Sequence, residues 1–237
     1  MAHETDYIER FALAKCFSIL PRTVFVKGAR DVELFQLASS LERAASDVEL
    51  LGVELAIVAA SERDFGGASG ACNELMMFKR MAIQLLDPNG RPRYRFVGLL
   101  DNNRAGRQAI ARARRIDTSV LEYKDVFCLR PIMPLTENRD PGALRRSFEA
   151  ANEPYRGLDW ELEDLISESL TVKFLDASPD SLQRSQQING RVHRDWTLEG
   201  KAQLHAFVKQ NAVHSDLSDV VHVLRALWHY FGMKPAS

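Results

Sequence analysis

Four short apolar runs separated by helical segments constrain the fold of this 237-residue chain more than any other feature. The runs lie at 23–26, 53–60, 96–100 and 126–129. Each has the length and the β-branched or aromatic content of a buried strand, and apolar side chains at helical spacing fill the segments between them. This alternation is typical of parallel strands joined by helices. We therefore predict an α/β fold with a four-stranded, mainly parallel sheet flanked by helices.

A stretch with prolines at 134 and 141 marks the predicted exit from this sheet. The first predicted domain, 1–138, opens with a leading helix at about residues 5–19. The second, 139–237, is predicted to be a mostly helical C-terminal subdomain. Its helices are expected at about 142–152, 159–170, 197–212 and 216–232.

Composition narrows the classes of function. The 31 basic and 32 acidic residues nearly cancel, so any contact with nucleic acid must be a local patch. The cysteines at 16, 72 and 128 are isolated in apolar stretches, as in a reducing compartment. Since there is neither a signal peptide pattern nor an apolar run of about 18 residues, we expect a cytoplasmic protein that does not contact the membrane. Motifs of serine hydrolases, zinc enzymes and dinucleotide-binding oxidoreductases are missing from the sequence.

Three polar segments follow the first three predicted strands, at 27–31, 61–70 and 101–106. In a parallel α/β sheet the ligand lies outside the carboxyl ends of the strands, where such segments converge. We therefore expect the three to share one cleft. The glycine-rich segment 61–70 is either a connector or a loop whose N–H groups face a phosphate.

Two of these segments resemble a known family. The chain reads VFVKGARD at 24–31 and GLLDNNRAG at 98–106. Over about residues 20–131 it resembles the Toprim domain of the overcoming-lysogenisation-defect (OLD)-like nucleases, in which Glu-Gly ends the first strand and Asp-x-Asp follows the third. Two later matches are shorter: 163–166 resembles an acidic Glu-Asp-Leu-Leu helix, and 200–201 resembles a Gly-Lys that opens a C-terminal helix.

The resemblance implies a Toprim-like sheet and a nuclease that hydrolyses phosphodiesters with Mg²⁺ or Mn²⁺. Carried over by position, the metal ligands would be Asp101, Asp31, Asn103 and Glu163. The catalytic residues would be Asp101, Glu163, Lys201 and Lys27. Carboxylates belong in such a site because they hold the hard cations that offset charge on the attacking and leaving oxygens.

Lys27 and Asn103 depart from the family, which has acids at both positions. An ammonium about 4 Å from a dication repels it by roughly 8 kcal/mol at an effective dielectric of about 20. Three interpretations remain open: a natural pseudo-nuclease with an anion-binding cleft, an enzyme with one metal on Asp101, Asp31 and Glu163, or an inactivated variant of a conventional enzyme.

The same residues also have ordinary structural interpretations. Gly28 suits any junction between a strand and a helix, and Asp31 stands where an N-cap is expected. Asp101 lies in a polar turn of a common type. Glu163 falls in the acid-rich first turn of a predicted helix.

Arginines near the cleft are the predicted contacts with a nucleic-acid backbone, namely Arg30, Arg104 and Arg107. They are equally typical of a solvated helix face. The family resemblance implies DNA more than RNA as the partner, a possible homo-oligomer, and a role in phage defence beside an ABC-type ATPase. Because this sequence has no GxxxxGK[ST] motif, that ATPase would be a separate subunit.

Overall fold

The structure is a computed structural model, and it describes residues 6–60, 67–136 and 140–233. Four strands form its main sheet: β1 Arg22–Val26, β2 Leu55–Ala59, β3 Arg95–Leu100 and β4 Val126–Cys128. Their order is β2-β1-β3-β4, and every neighbouring pair is parallel. The predicted α/β fold with a four-stranded sheet is therefore confirmed.

Helices cover both faces of this sheet and make up most of the C-terminal part, as predicted. Their bounds are α1 Tyr7–Ala14, α2 Ala29–Ser46, α3 Gly67–Ala82, α4 Arg104–Ile116, α5 Pro141–Asn152, α6 Glu168–Ala177, α7 Leu198–Asn211 and α8 Ser218–Phe231. None of the helices in the described ranges is long and apolar enough to cross a membrane.

Alternate side chains of β1 enter two apolar clusters. Phe25 points into the cluster formed with α1, α3 and α4. Val24 and Val26 point into the cluster formed with α2, α7 and α8. The central strand is therefore covered on both faces, which explains its continuous apolar run.

The boundary predicted near residue 138 falls at 137–139, outside the described residues. The larger apolar cluster contains both Leu99 of the sheet and Leu204 and Leu224 of the C-terminal helices. The two predicted halves therefore share a core, and the division into domains stays a prediction.

Two helix predictions in the first half were inaccurate in length. The leading helix ends at Ala14 instead of about residue 19, because Cys16 has a φ of 58° and the Phe17 N–H closes the helix on the Ala12 carbonyl at 2.8 Å. Helix α3 begins at Gly67, within the segment predicted as a loop. The rest of that segment, 61–66, lies outside the described residues.

The predicted helix at 159–170 is wrong. Glu161 is extended (φ −120°, ψ 169°), a single 3₁₀ turn follows at Leu162–Leu165, and α6 begins only after Ser167. The Ser167 hydroxyl accepts the Leu170 N–H at 3.2 Å and so fixes that start. We call residues 161–165 the acidic turn.

An antiparallel hairpin, β5 Leu182–Ile188 and β6 Arg191–Trp196, was not predicted. Its two-residue turn is Asn189-Gly190, with φ values of 48° and 81°. Both residues are left-handed, as a type I′ turn requires, and Asn-Gly is the strongest short sequence signal for such a hairpin.

Glu42 anchors the C-terminal helices to α2. Its side chain is 1 % exposed and binds Nε2 of His214 at 2.7 Å, Nη2 of Arg225 at 2.5 Å and the Ser46 hydroxyl at 2.7 Å. Burial alone would raise the pKa of Glu42, but the hydrogen bonds from Ser46, His214 and Arg225 outweigh burial and lower it to about 2.

Replacing Glu42 by Gln should lower the free energy of unfolding by about 2 kcal/mol at pH 7, because hydrogen bonds to a charged partner are lost. A carboxylate with a depressed pKa stabilises the fold above its unfolded pKa, near 4.5, and stops doing so as the pH falls toward 2. The difference between parent and Glu42→Gln, measured by urea unfolding at pH 7, 5 and 3.5, should therefore shrink at the lowest pH. Glu33→Gln, on the same helix and 56 % exposed, is the control. A difference that does not change with pH would contradict this assignment.

Candidate functional site

The carboxyl ends of β1 and β3 meet in one cluster of charged side chains. Lys27, the residue after β1, donates a very short hydrogen bond from Nζ to Oδ2 of Asp101, the residue after β3. The same Nζ lies 3.8 Å from Oδ1 of Asp31. Because β1 and β3 are parallel neighbours, the fold itself brings the two sequence segments together.

Asp31 lies in the first turn of α2 and is not its N-cap, contrary to one interpretation of the sequence. The N-cap is Gly28, which is extended (φ −160°) and caps the helix without a side chain. The Asp31 side chain is only 7 % exposed and faces Lys27. Asp31 is therefore a member of the charged cluster.

Asn103 caps α4. Its Oδ1 accepts the N–H of Gly106 at 2.9 Å, and its Nδ2 donates to Oε1 of Glu161 at 2.6 Å. A Cβ at Gly106 would lie 2.0 Å from the main-chain oxygen of Asp101, so this close approach requires glycine. Asn103 therefore acts as a helix cap and as a hydrogen-bond partner of Glu161.

The acidic turn and α7 supply the other side of the cluster. Nζ of Lys201 lies 2.8 Å from Oε2 of Glu161 and 2.9 Å from Oε2 of Glu163. Nε2 of His205, one turn further along α7, lies 2.8 Å from Oε1 of Glu163. A Cβ at Gly200 would come within 2.4 Å of the main-chain oxygen of Ser181, so glycine allows α7 to approach this closely.

Main-chain contacts join the acidic turn to the end of β3. The N–H of Leu162 donates to Oδ1 of Asp101 at 3.2 Å. Asn102 and Trp160 exchange two main-chain hydrogen bonds, at 2.8 and 3.1 Å. The two groups of charged residues therefore form one continuous network.

Asp164 links the acidic turn to strand β6. Its carboxylate accepts the N–H of Glu161 at 2.7 Å and the N–H of Arg194 at 3.1 Å. Nδ1 of His193, on β6, lies 2.6 Å from the same carboxylate. His193 therefore positions the turn that carries Glu163 and does not itself reach the cluster.

The network places four carboxyl groups, Asp31, Asp101, Glu161 and Glu163, around two ammonium groups. Burial would lower the pKa of Lys27, but the surrounding carboxylates, first that of Glu163, hold it well above its usual value. Burial likewise opposes ionisation of Glu163, yet Lys27 and Lys201 keep its pKa well below the usual range. Both groups are therefore charged at neutral pH.

Asp31 carries less than a full negative charge near neutral pH. Burial raises its pKa to about 7 although Lys27 acts in the opposite direction, and the carboxylates of Asp101 and Glu163 raise it further. Part of the Asp31 population is therefore protonated near neutral pH, which reduces the excess of carboxylate over ammonium charge in the cluster.

The side chains as arranged do not fit a divalent cation. Lys27 binds Asp101 and faces Asp31, Lys201 and His205 bind Glu163, and Asn103 is engaged as a helix cap. Across the described ranges, no three His, Cys, Asp or Glu side chains form a group that could hold a metal ion. The cluster is an internal ion-pair network.

The three arginines expected to contact nucleic acid lie around this network. Arg30 is half-buried in the first turn of α2, and Arg104 is exposed at the start of α4. Nη1 of Arg107 lies 2.9 Å from Oδ1 of Asp159 and 3.0 Å from the main-chain oxygen of Asn102, with the side chain 50 % exposed. Arg107 therefore also binds the main chain that follows β3.

Glu161 and His205 belong to the network but were not among the residues singled out in the sequence. His205 follows Lys201 by four residues, which places both on one face of α7, and this spacing is visible in the sequence. Glu161 and Glu163 are two residues apart and would diverge on the helix that was predicted there. Only the extended backbone at Glu161 and the turn after it bring both to Lys201.

Comparison of the chain with family models, with curated proteins and with solved structures finds no match. The interpretation of the site therefore depends on its own geometry and on the motifs described above.

Proposed function

We propose that this chain is a Toprim-like, nucleic-acid-associated protein of the OLD-nuclease type whose site no longer catalyses cleavage. It would act as a pseudo-nuclease subunit or effector in a phage-defence system. The observation that carries the proposal is the place of the Lys27 ammonium group, between the carboxylates of Asp101 and Asp31. In the family that the motifs resemble, this is the region of the metal.

The chemistry of an ammonium group explains why catalysis would be lost. A divalent cation binds carboxylates and also coordinates the attacking and leaving oxygens of a phosphodiester. Lys27 neutralises the same carboxylates but offers no coordination positions. Lys201, one of the catalytic residues that the resemblance implies, is held by Glu161 and Glu163.

Nucleic-acid binding in this proposal depends on the arginines around the network. Lys27 and Lys201 are surrounded by carboxylates inside the protein, whereas Arg104 is exposed and Arg107, although it pairs with Asp159, is 50 % exposed. Contacts from such arginines to phosphates give affinity without sequence selectivity. DNA rather than RNA, a separate ABC-type ATPase and self-association are further parts of the proposal and have the family resemblance as their support.

A second candidate is an active nuclease that uses one Mg²⁺ or Mn²⁺ on a rearranged site. The observation that favours it is that Asp101, Asp31 and Glu163 all lie near Lys27, close enough for the charges of all three to raise the pKa of Lys27. It requires the Lys27 side chain to move away from these carboxylates, because its ammonium group would repel a divalent cation bound there.

A nuclease assay separates the two candidates. The unaltered chain should not cleave DNA with Mg²⁺ or Mn²⁺, whereas Lys27→Glu/Asn103→Asp, which restores both acids, should gain metal-dependent cleavage. Lys209→Glu/Asn211→Asp makes the same charge changes at the exposed end of α7 and should stay inactive. Cleavage by the unaltered chain that disappears in Asp101→Ala would reject the proposal in favour of the second candidate.

A binding assay tests the arginine contacts separately. Arg104→Gln/Arg107→Gln should weaken DNA binding by about tenfold and reduce the slope of log Kd against log salt by about 2, because two phosphate contacts are lost. Arg43→Gln/Arg114→Gln removes the same charge from the far ends of α2 and α4 and should change neither quantity. An unchanged slope in the first variant, or no binding to DNA at low salt, would contradict this part of the proposal.

A further inference from the structure

A cavity opens at the end of β4, beside the charged network. It has a volume of about 360 Å³, within the range typical of small-ligand sites. Its wall includes Asn102, Tyr123, Arg130, Phe148, Asn152 and Tyr155, and we call it the Asn102 pocket. Asn102 lines the pocket, and Asp101, the residue before it, belongs to the network. The pocket and the network are therefore neighbours at the end of β3.

Aromatic rings form the apolar part of the pocket. Tyr123 and Phe148 are buried, with their ring centroids 5.3 Å apart and their planes at 61°. Tyr155 is half-buried on the same wall. Aromatic rings of this kind favour a flat, unsaturated ligand over an aliphatic one of equal size.

Fixed polar groups complete the wall. The Asn152 amide is fully engaged, since Oδ1 accepts the N–H of Ile132 at 2.9 Å and Nδ2 donates to the carbonyls of Ile132 and Phe148 at 2.8 and 2.9 Å. Arg130 lines the same wall and lies close enough to the Tyr123 hydroxyl for its charge to oppose the rise in the pKa of Tyr123 that burial causes. The guanidinium of Arg130 has N–H groups with which to bind a ligand's acceptor atoms.

The charges at the rim exclude a strong preference for anions. Arg130 and Arg156 line the pocket together with Glu149 and Glu153. Glu153 lies 3.8 Å from Arg156, and Glu149 pairs at 2.7 Å with Arg145. Opposite charges therefore nearly cancel, and a free phosphate gains little here compared with an uncharged ring that has polar edges.

We infer that the Asn102 pocket binds a nucleobase, with the ring against the aromatic wall and the acceptor atoms of its edge toward Arg130. The base comes either from a free nucleoside or from an unpaired nucleotide of a strand that crosses the charged network. Stacking on aromatic side chains accepts every base, which suits a protein that binds without sequence preference. The inference does not depend on loss of nuclease activity.

Calorimetric titration with deoxyadenosine, deoxyguanosine, deoxycytidine, thymidine and inorganic phosphate tests this inference. At least one nucleoside should bind saturably and phosphate alone should not. Tyr155→Ala and Arg130→Gln should each weaken that binding, the first by about tenfold because a stacking surface is lost. Tyr7→Ala removes the same side chain from α1, on the other face of the sheet, and should bind as the parent does. Thermal unfolding establishes that each variant is folded.

A single-stranded oligonucleotide distinguishes the two sources of the base. If the base belongs to a strand, Tyr155→Ala weakens binding of the oligonucleotide as well as of the nucleoside. If the ligand is a free nucleoside, only nucleoside binding weakens. The inference is overturned if no nucleoside binds and both variants bind the oligonucleotide like the parent, if nucleosides bind both variants as they bind the parent, or if only phosphate binds. Because nucleosides carry no phosphate, these outcomes are independent of the arginine contacts tested above.

Discussion

The ion pair between Lys27 and Asp101 is the interaction on which the rest of the site depends. Buried carboxylates are costly unless an opposite charge compensates them, and removal of one partner from such a pair typically costs several kcal/mol. Asp101 and Asp31 are 7 % exposed in their side chains, and Glu163 is 1 % exposed. In a metal enzyme the cations would compensate such acids. Here Lys27 and Lys201 do so from within the chain.

The fold places the two lysines next to the buried carboxylates. Parallel pairing of β1 and β3 places Lys27 beside Asp101. Close packing at Gly106 lets α4 approach the end of β3, and close packing at Gly200 lets α7 approach Ser181. Lys201, the next residue of α7, contacts the acidic turn. The network joins the ends of β1 and β3 to the acidic turn and to α7. The site is therefore a structural joint as well as a candidate binding surface.

Much of this could be predicted from the sequence, and the failures have physical causes. Runs of apolar residues such as 96–100 predict strands well because burial on both faces leaves no polar alternation. The meeting of Lys27 with Asp101 was expected, because both residues follow strands whose carboxyl ends lie at one edge of a parallel sheet. The role of Glu161 could not be predicted, because it depends on an extended residue and a 3₁₀ turn that tertiary contacts to Asp164 impose. The Asn189-Gly190 sequence is itself a signal for the hairpin, although the predicted helical patterns did not include it.

Direct measurement of Mn²⁺ binding tests the central claim, that an ammonium group occupies the place of a divalent cation. Electron paramagnetic resonance of free Mn²⁺ should show no specific site in the unaltered chain, whereas Lys27→Glu should bind one or two ions, since the cluster then holds five acids and loses one of its two ammonium groups. Lys209→Glu, at the surface, should bind none. A specific Mn²⁺ site in the unaltered chain that is lost in Asp101→Asn would contradict the account.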